Sequence, residues 1–211
     1  MGKQVRAVVR DEAKGHVWAS MADGDGLGRA IAGSEAVFVM LLPLFDPSPG
    51  FPEAKDQIDS LSVALRQSEA KRIAALWTIG AHVTRPNLLN SRHMMEESFR
   101  QLPMPVTFLR PGWFMENHAG DVSSATSEGI IHSYLQPIEH AIPMIETKDI
   151  GALAGTLLLE SWSGKRVVEL EAKTRVSSAD IAPTLTDILG KPVKAEPFHE
   201  LDGKRSFALK I

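Results

Sequence analysis

Apolar positions along this chain change their spacing several times, and each change marks a predicted element. Gln4–Arg10 (QVRAVVR) and, more weakly, His16–Met21 read as strands. Glu35–Leu42 (EAVFVMLL) is a nearly continuous apolar run, the pattern of a strand covered on both faces. Beyond a Pro-rich loop from Pro43 to Pro52, Glu53–Ser68 takes helical spacing, with Ile58, Leu61 and Leu65 on one face. Arg72–Thr78 predicts a strand, Asn87–Gln101 a helix, and Pro105–Arg110 a strand that Pro111 ends. Thr147–Ser161 predicts a helix that Thr147 can cap, with Asp149 in its first turn. Arg166–Leu170 reads as a late strand. Ser177–Leu189 reads as a helix capped by Ser177 or Ser178 and stopped by Gly190 and Pro192. The tail beyond Pro197 shows no clear period and is expected to be loosely held.

Strands separated by helices of this length require crossover connections, which predicts an α/β fold with a mostly parallel, Rossmann-like sheet flanked by helices. Two interleaved regions are expected: residues 1–118 as a nucleotide-binding part, and 119–211 as a mixed part with late elements on the substrate side. The composition adds exclusions. With 211 residues, 44% of them hydrophobic and 23% charged, the chain can bury enough apolar surface to order itself. A net charge of −3 offers no basic field for nucleic acid or anionic lipid. Cysteine is absent, which removes disulfides and thiolate chemistry and fits a reducing, cytoplasmic setting. No apolar run nears the roughly 20 residues of a membrane span. The charged N-terminus does not read as a secretory signal, and Arg6 does not suit myristoylation.

The candidate chemistry is uneven. Gly24-Asp25-Gly26-Leu27-Gly28 is the one Gly-x-Gly-x-Gly string, but Asp23 and Asp25 would oppose a pyrophosphate, so an ordinary loop is expected there. Arg10 ends the first strand and Lys14 follows four residues later; a guanidinium at that place suits an adenosine 2′-phosphate, while a solvated basic edge explains it as well. Tyr134 is the single tyrosine and Ile138 stands four residues on, so Tyr-x-x-x-Lys is absent. His82, His93 and His118 remain as candidate proton donors. The Glu96-Glu97 pair reads as a helix surface, and no His or carboxylate spacing predicts a metal. A serine nucleophile elbow is missing too.

Several strings, among them VRAVVRDEAK, GSEAVFVMLLP, WTIGAH, LRPGWFMEN and IPMIETKDIGALAGTLLLE, resemble in order and spacing the NmrA-like group of atypical short-chain dehydrogenases. The resemblance runs from about Val5 to Pro197, and Leu109-Arg110-Pro111-x-x-Phe114-Met115-Glu116-Asn117 is its most specific piece. It implies an NADP-binding protein that either reduces a small quinone-like or carbonyl substrate or acts as an NADP-responsive regulator on a protein partner, with a homodimer as one arrangement. Carried over by position, it implies Arg10 and Lys14 at the 2′-phosphate, and Leu41, Leu42 and Pro43 along the adenosine. Thr78 and Ile79 would lie near the nicotinamide ribose, and Arg92 would hold a ribose or phosphate. Pro111, Gly112, Trp113 and Phe114 would wall the nicotinamide. Trp113, Phe114, Asn117 and His118 would form the substrate pocket, with His118 the one candidate for catalysis; ordinary core packing is the alternative for the two aromatics.

Members of that group carry a strand, a Gly-rich turn and a helix ahead of the strand that is Val5–Val9 here. NADP binding is therefore expected to be weakened or lost. Three arrangements answer the missing strand: Val5–Val9 pairs directly with Val37–Leu42, a second chain covers the gap, or the chain is a shortened product.

Overall fold

The computed structural model describes residues 3–9, 17–41, 48–80 and 90–198, with the backbone alone at 90–92. The chain divides into two compact units, Met1–Arg110 with Leu153–Val168 and Pro111–Ala152 with Glu169–Ile211.

The first unit is built on a four-stranded sheet in the order β3-β4-β5-β9, where β3 is Ala36–Met40, β4 Arg72–Leu76, β5 Val106–Pro111 and β9 Lys165–Leu170. β3, β4 and β5 are parallel, in a register that sets Val37 beside Ile73 and Ile73 beside Val106. Parallel neighbours need crossovers, supplied by helix α2 (Pro52–Gln67) and helix α3 (Asn90–Arg100). α2 starts with Pro52 in its first turn, where a missing N–H is harmless, and it buries Ile58, Leu61 and Leu65, the face the spacing predicts. Those residues join Leu27, Val39, Ile73, Phe99, Val106 and Phe108 in one core. Every residue of β5 is buried, as expected for a strand inside a sheet covered on both faces.

The front of the chain departs from expectation. Val8–Val9 (β1) pairs in parallel with Val17–Trp18 (β2), not with β3. The sheet has therefore not closed up; among the described residues β3 pairs with β4 alone. Arg6 lies just ahead of β1 and is bonded to the end of a helix. Its guanidinium donates to the carbonyls of Ala30 and Ala32, at the end of helix α1 (Gly24–Ile31), where a cation also meets the negative end of the helix.

α1 is the second departure, since it occupies the glycine string expected to be a loop. Asp23 caps it, its Oδ1 accepting from the Gly26 N–H at 2.9 Å. A β-carbon on Gly26 would stand 2.3 Å from that carboxylate, so the glycine is what lets the cap close.

The second unit holds elements the spacing did not reveal. Trp113–Phe114 (β6) pairs in parallel with Met144–Ile145 (β8), and Ile130–Ser133 (β7) with Lys194–Pro197 (β10). These strands are too short for a period of two to register. Helix α4 (Val122–Glu128) precedes β7, helix α5 starts at Thr147 and runs to Leu159, and helix α6 is Ser178–Leu189. α6 has the expected caps: Ser177 and Asp180 form a reciprocal capping box, and Gly190 closes the end at φ 65°. Thr147 does not cap α5. It donates, through its N–H and its hydroxyl, to the Glu116 carboxylate brought from the preceding strand-turn segment.

No helix among the described residues is long and apolar enough to cross a membrane.

Candidate functional site

Parallel strands bind ligands outside their carboxyl ends. In the first unit that end of the sheet presents Leu41 after β3 and Trp77, Thr78 and Ile79 after β4. Leu41 and Trp77 are buried, whereas Thr78 and Ile79 are half-buried. The Thr78 hydroxyl donates to the carbonyl of Ile79 at 3.1 Å, which holds the turn before Gly80, a residue at φ 82°. Arg10, Lys14, Leu42, Pro43 and His82 lie outside the described residues, and the Arg92 side chain does as well. His93 is half-buried on α3.

A nicotinamide dinucleotide fits this end only in part. The strand carboxyl ends suit it, but the described glycine string does not supply the N–H cradle of a diphosphate. Its Gly26 N–H is already taken by the Asp23 carboxylate, an anion where a second anion would have to sit.

Glu96 overturns a sequence reading. It is not helix surface: its carboxylate is buried and accepts from Arg110 at 2.8 and 3.0 Å, and Arg100 one turn along α3 also bonds it. Burial alone would push its pKa up. The hydrogen bonds from Arg110 and Arg100, with their charge, outweigh that and hold it below the ordinary carboxylate value. Glu97 is exposed, as expected. The Arg110 of the most specific sequence string is therefore occupied by a structural ion pair.

Pro111 to Asn117 of that string lie in the second unit. Pro111 is buried at the end of β5, and Gly112 is buried beside it. The Gly112 N–H donates to the carbonyl of Leu170 at 2.8 Å, and a β-carbon there would meet the carbonyl oxygen of Pro143 at 2.5 Å. Close backbone approach explains this glycine without any ligand. Trp113 and Phe114 follow on β6 and, as neighbours on a strand, face opposite sides.

Trp113, Asn117 and His118 line one cavity of about 320 Å³, together with Asp121, Ser124, His132, Tyr134, Leu135 and Phe198 among others. That volume lies at the small end of the range for ligand pockets. Phe114 is not part of this lining. Behind Trp113 stands an apolar cluster of Leu135, Ile142 and Met144.

The polar side of the cavity is built on a 3-10 turn, Met115–Asp121. His118 Nδ1 lies 2.7 Å from Asp121 Oδ2, three residues on, where one turn of tight helix superposes them. A carboxylate only accepts, so Nδ1 carries the hydrogen and the other nitrogen, Nε2, faces away from the pair. Nε2 is buried and has no hydrogen-bond partner among the described residues, and the same holds for Trp113 Nε1. Also in the lining, the rings of Tyr134 and Phe198 are stacked with centroids 4.4 Å apart, and His132 Nε2 pairs with Glu128 at 3.0 Å. Asp121 was not singled out from the sequence; its place three residues after His118 is the signal that could have found it. Tyr134 and Phe198 had no such signal, because they are distant in sequence and only the β7–β10 pairing brings them together. Among the described residues, no group of three or more His, Asp or Glu side chains could hold a metal.

No family model matches the chain. The Dictyostelium discoideum protein named prestalk A differentiation protein A is 24% identical to it over 179 residues, covering 84% of this chain and 54% of that protein. The NAD(P)H azoreductase of Xenophilus azovorans is 25% identical over 200 residues, covering 90% of this chain and 66% of that protein. The chain thus spans between half and two thirds of the length of these curated relatives. Among solved structures, the NADPH-dependent quinone oxidoreductase of Escherichia coli in complex with NADPH matches 90% of this chain and 68% of its own, with a TM-score of 0.74 and 21% identity. The chain has the Rossmann-type α/β fold that this reductase displays.

Proposed function

We propose that this Rossmann-type chain is an NAD(P)-dependent reductase of the NmrA-like kind, acting on a small quinone-like or carbonyl acceptor. One observation carries the reading: the second unit contains a cavity of ligand size, lined by Trp113, Tyr134 and Phe198 together with the paired His118 and Asp121. The kinship with an NAD(P)H azoreductase supports the same direction. In this scheme the first unit takes the nucleotide at its strand ends, with Leu41, Leu42 and Pro43 along the adenosine. Arg10 and Lys14 select the 2′-phosphate, and Thr78 and Ile79 lie by the ribose. When bound, the nicotinamide supplies a hydride. The chain's own task is to seat the acceptor, exclude water from it and place hydrogen-bond donors at the oxygen where charge develops, so positioning replaces the missing Tyr-x-x-x-Lys.

The experiment is a titration of the purified chain with NADPH, NADP and NAD by calorimetry, followed by NADPH consumption with a panel of quinones. Binding of NADPH in the micromolar range with quinone-dependent consumption is the expected result. Arg10→Ala is expected to weaken NADPH far more than NADH. No binding at millimolar nucleotide overturns the proposal.

A second reading, an NADP-responsive regulator working through a protein partner, draws on the absent Tyr-x-x-x-Lys and on the relative named a differentiation protein. Nucleotide binding without turnover of any acceptor is its expected outcome.

A further inference from the structure

We infer that the second unit's cavity takes a small, flat organic cation, so that the acceptor of the proposed reductase carries a positive charge on or beside its ring. The binding statement stands on the cavity alone, and the statement about the acceptor rests on the reductase reading.

Charge is the first reason. Among the described residues no Lys or Arg lines the cavity, and Asp121 is the one carboxylate in the lining, with 23% of its side chain exposed. With His118 and His132 neutral, the lining carries a single charge, and it is negative. A compact space of about 320 Å³ spans about one Debye length, so the field of that carboxylate acts throughout it.

Hydrogen-bonding capacity is the second. Most of the side-chain donors in the lining are spent on the chain itself. His118 Nδ1 donates to Asp121 Oδ2 at 2.7 Å, and His132 Nε2 donates to Glu128 Oε2 at 3.0 Å. The hydroxyl of Ser124 donates to the carbonyl of Asp121 at 3.2 Å, and that of Ser133 to the carbonyl of Leu135 at 3.0 Å. The indole N–H of Trp113 is buried and is not presented to an occupant. The Asn117 amide and the Tyr134 hydroxyl remain, and each of them carries an acceptor as well. An anion would meet a carboxylate with few donors to offset it, whereas a cation asks for no donor at all.

The third reason is the rings. Trp113, Tyr134 and Phe198 all belong to the lining. The faces of aromatic rings are electron-rich and attract organic cations, most strongly where water is partly excluded. Tyr134 and Phe198 stack at 25° between planes, so each spends one face on the other, and Tyr134 remains 46% exposed. A neutral flat ring would gain the contact with these side chains but not the attraction to Asp121.

Three probes of nearly one shape and different charge test this on the full chain without nucleotide. They are N-methylquinolinium, quinoline and 1-naphthoate, titrated by calorimetry at pH 8, above the ordinary histidine range. The quinolinium is expected to bind about tenfold more tightly than quinoline, with naphthoate the weakest. Asp121→Asn keeps an acceptor for the His118 N–H and so spares the turn, which a thermal melt verifies. It is expected to weaken the quinolinium about tenfold and to leave quinoline unchanged, a split that a purely structural role would not produce. Tyr134→Leu retains apolar bulk without a ring face and is expected to weaken the quinolinium more than quinoline. Failure of the wild type to bind the quinolinium, or affinity no greater than that for quinoline, overturns the inference. Equal losses for the two probes in the variants overturn it as well. With NADPH and a quinone, the quinolinium is expected to inhibit turnover in competition with the quinone. Turnover by a chain that does not bind the quinolinium refutes the cation site and leaves the reductase reading intact. Selective quinolinium binding without NADPH consumption leaves the cation site standing and removes the reductase reading.

Discussion

Glu96 shows how much one side chain can carry. Two arginines converge on its buried carboxylate, one from the neighbouring turn of α3 and one from the end of β5, so the pair joins a helix to the strand beneath it. Neutralising a carboxylate buried against two guanidinium groups removes the charge they meet there, which costs up to about 3–5 kcal/mol when burial is complete. Arg100 retains partial access to water, so Glu96→Gln is expected to destabilise the chain by about 3 kcal/mol, measurable as a lower urea midpoint with an unchanged slope. Acid behaviour follows from the same contacts. The folded chain holds the Glu96 proton less tightly than the unfolded chain does, so this contribution is complete above the ordinary carboxylate value of 4.5. It fades as the pH falls through the lower folded value, and Glu96→Gln should flatten that part of the stability profile. The sequence could not reveal this, because helical spacing assigns faces but not which charged residue on a face finds a buried partner. His118 and Asp121, by contrast, are three residues apart, a separation from which their contact could have been read.

At the scale of elements, the second unit depends on close backbone approach. β6 lies against β8 with Gly112 directly before the pairing, where its missing β-carbon lets the Pro143 carbonyl come near. Gly112→Ala is expected to force the two strands apart and cost about 1–3 kcal/mol, seen as a lower melting temperature with and without nucleotide. A loss confined to nucleotide affinity, with stability unchanged, would contradict this. The start of α5 shows the other kind of contact. Glu116 accepts from Thr147, and these hydrogen bonds lower its pKa; the cap therefore weakens in acid. Long elements such as α2, β5 and α6 were legible because their apolar pattern and, for α6, its caps lie within the element itself. The two-residue strands and the Glu116 cap were not, since each exists only through a partner distant in the chain.

Across the whole molecule, the apolar surface is unevenly covered. Phe38 and Met40 lie on the same face of β3, 41% and 49% exposed, on a strand with one unpaired edge among the described residues. Trp18 on β2 and Val5 are exposed in the same unit. Open edges with apolar side chains favour association. Light scattering is expected to show concentration-dependent growth for the wild type and little for the Phe38→Lys, Met40→Lys double variant; identical scattering would refute this.

The amino-acid order was sufficient for the parallel α/β class, the α2 face, the capping of α6 and the placing of Trp113, Asn117 and His118 in one short stretch. All of these depend on interactions within a few residues, which periodicity and cap chemistry report directly. The pairing of β1 with β2, the burial of Glu96, the reason for Gly112 and the stacking of Tyr134 on Phe198 arose at another level. Each depends on which distant segments meet, and that is settled by the burial of the chain as a whole.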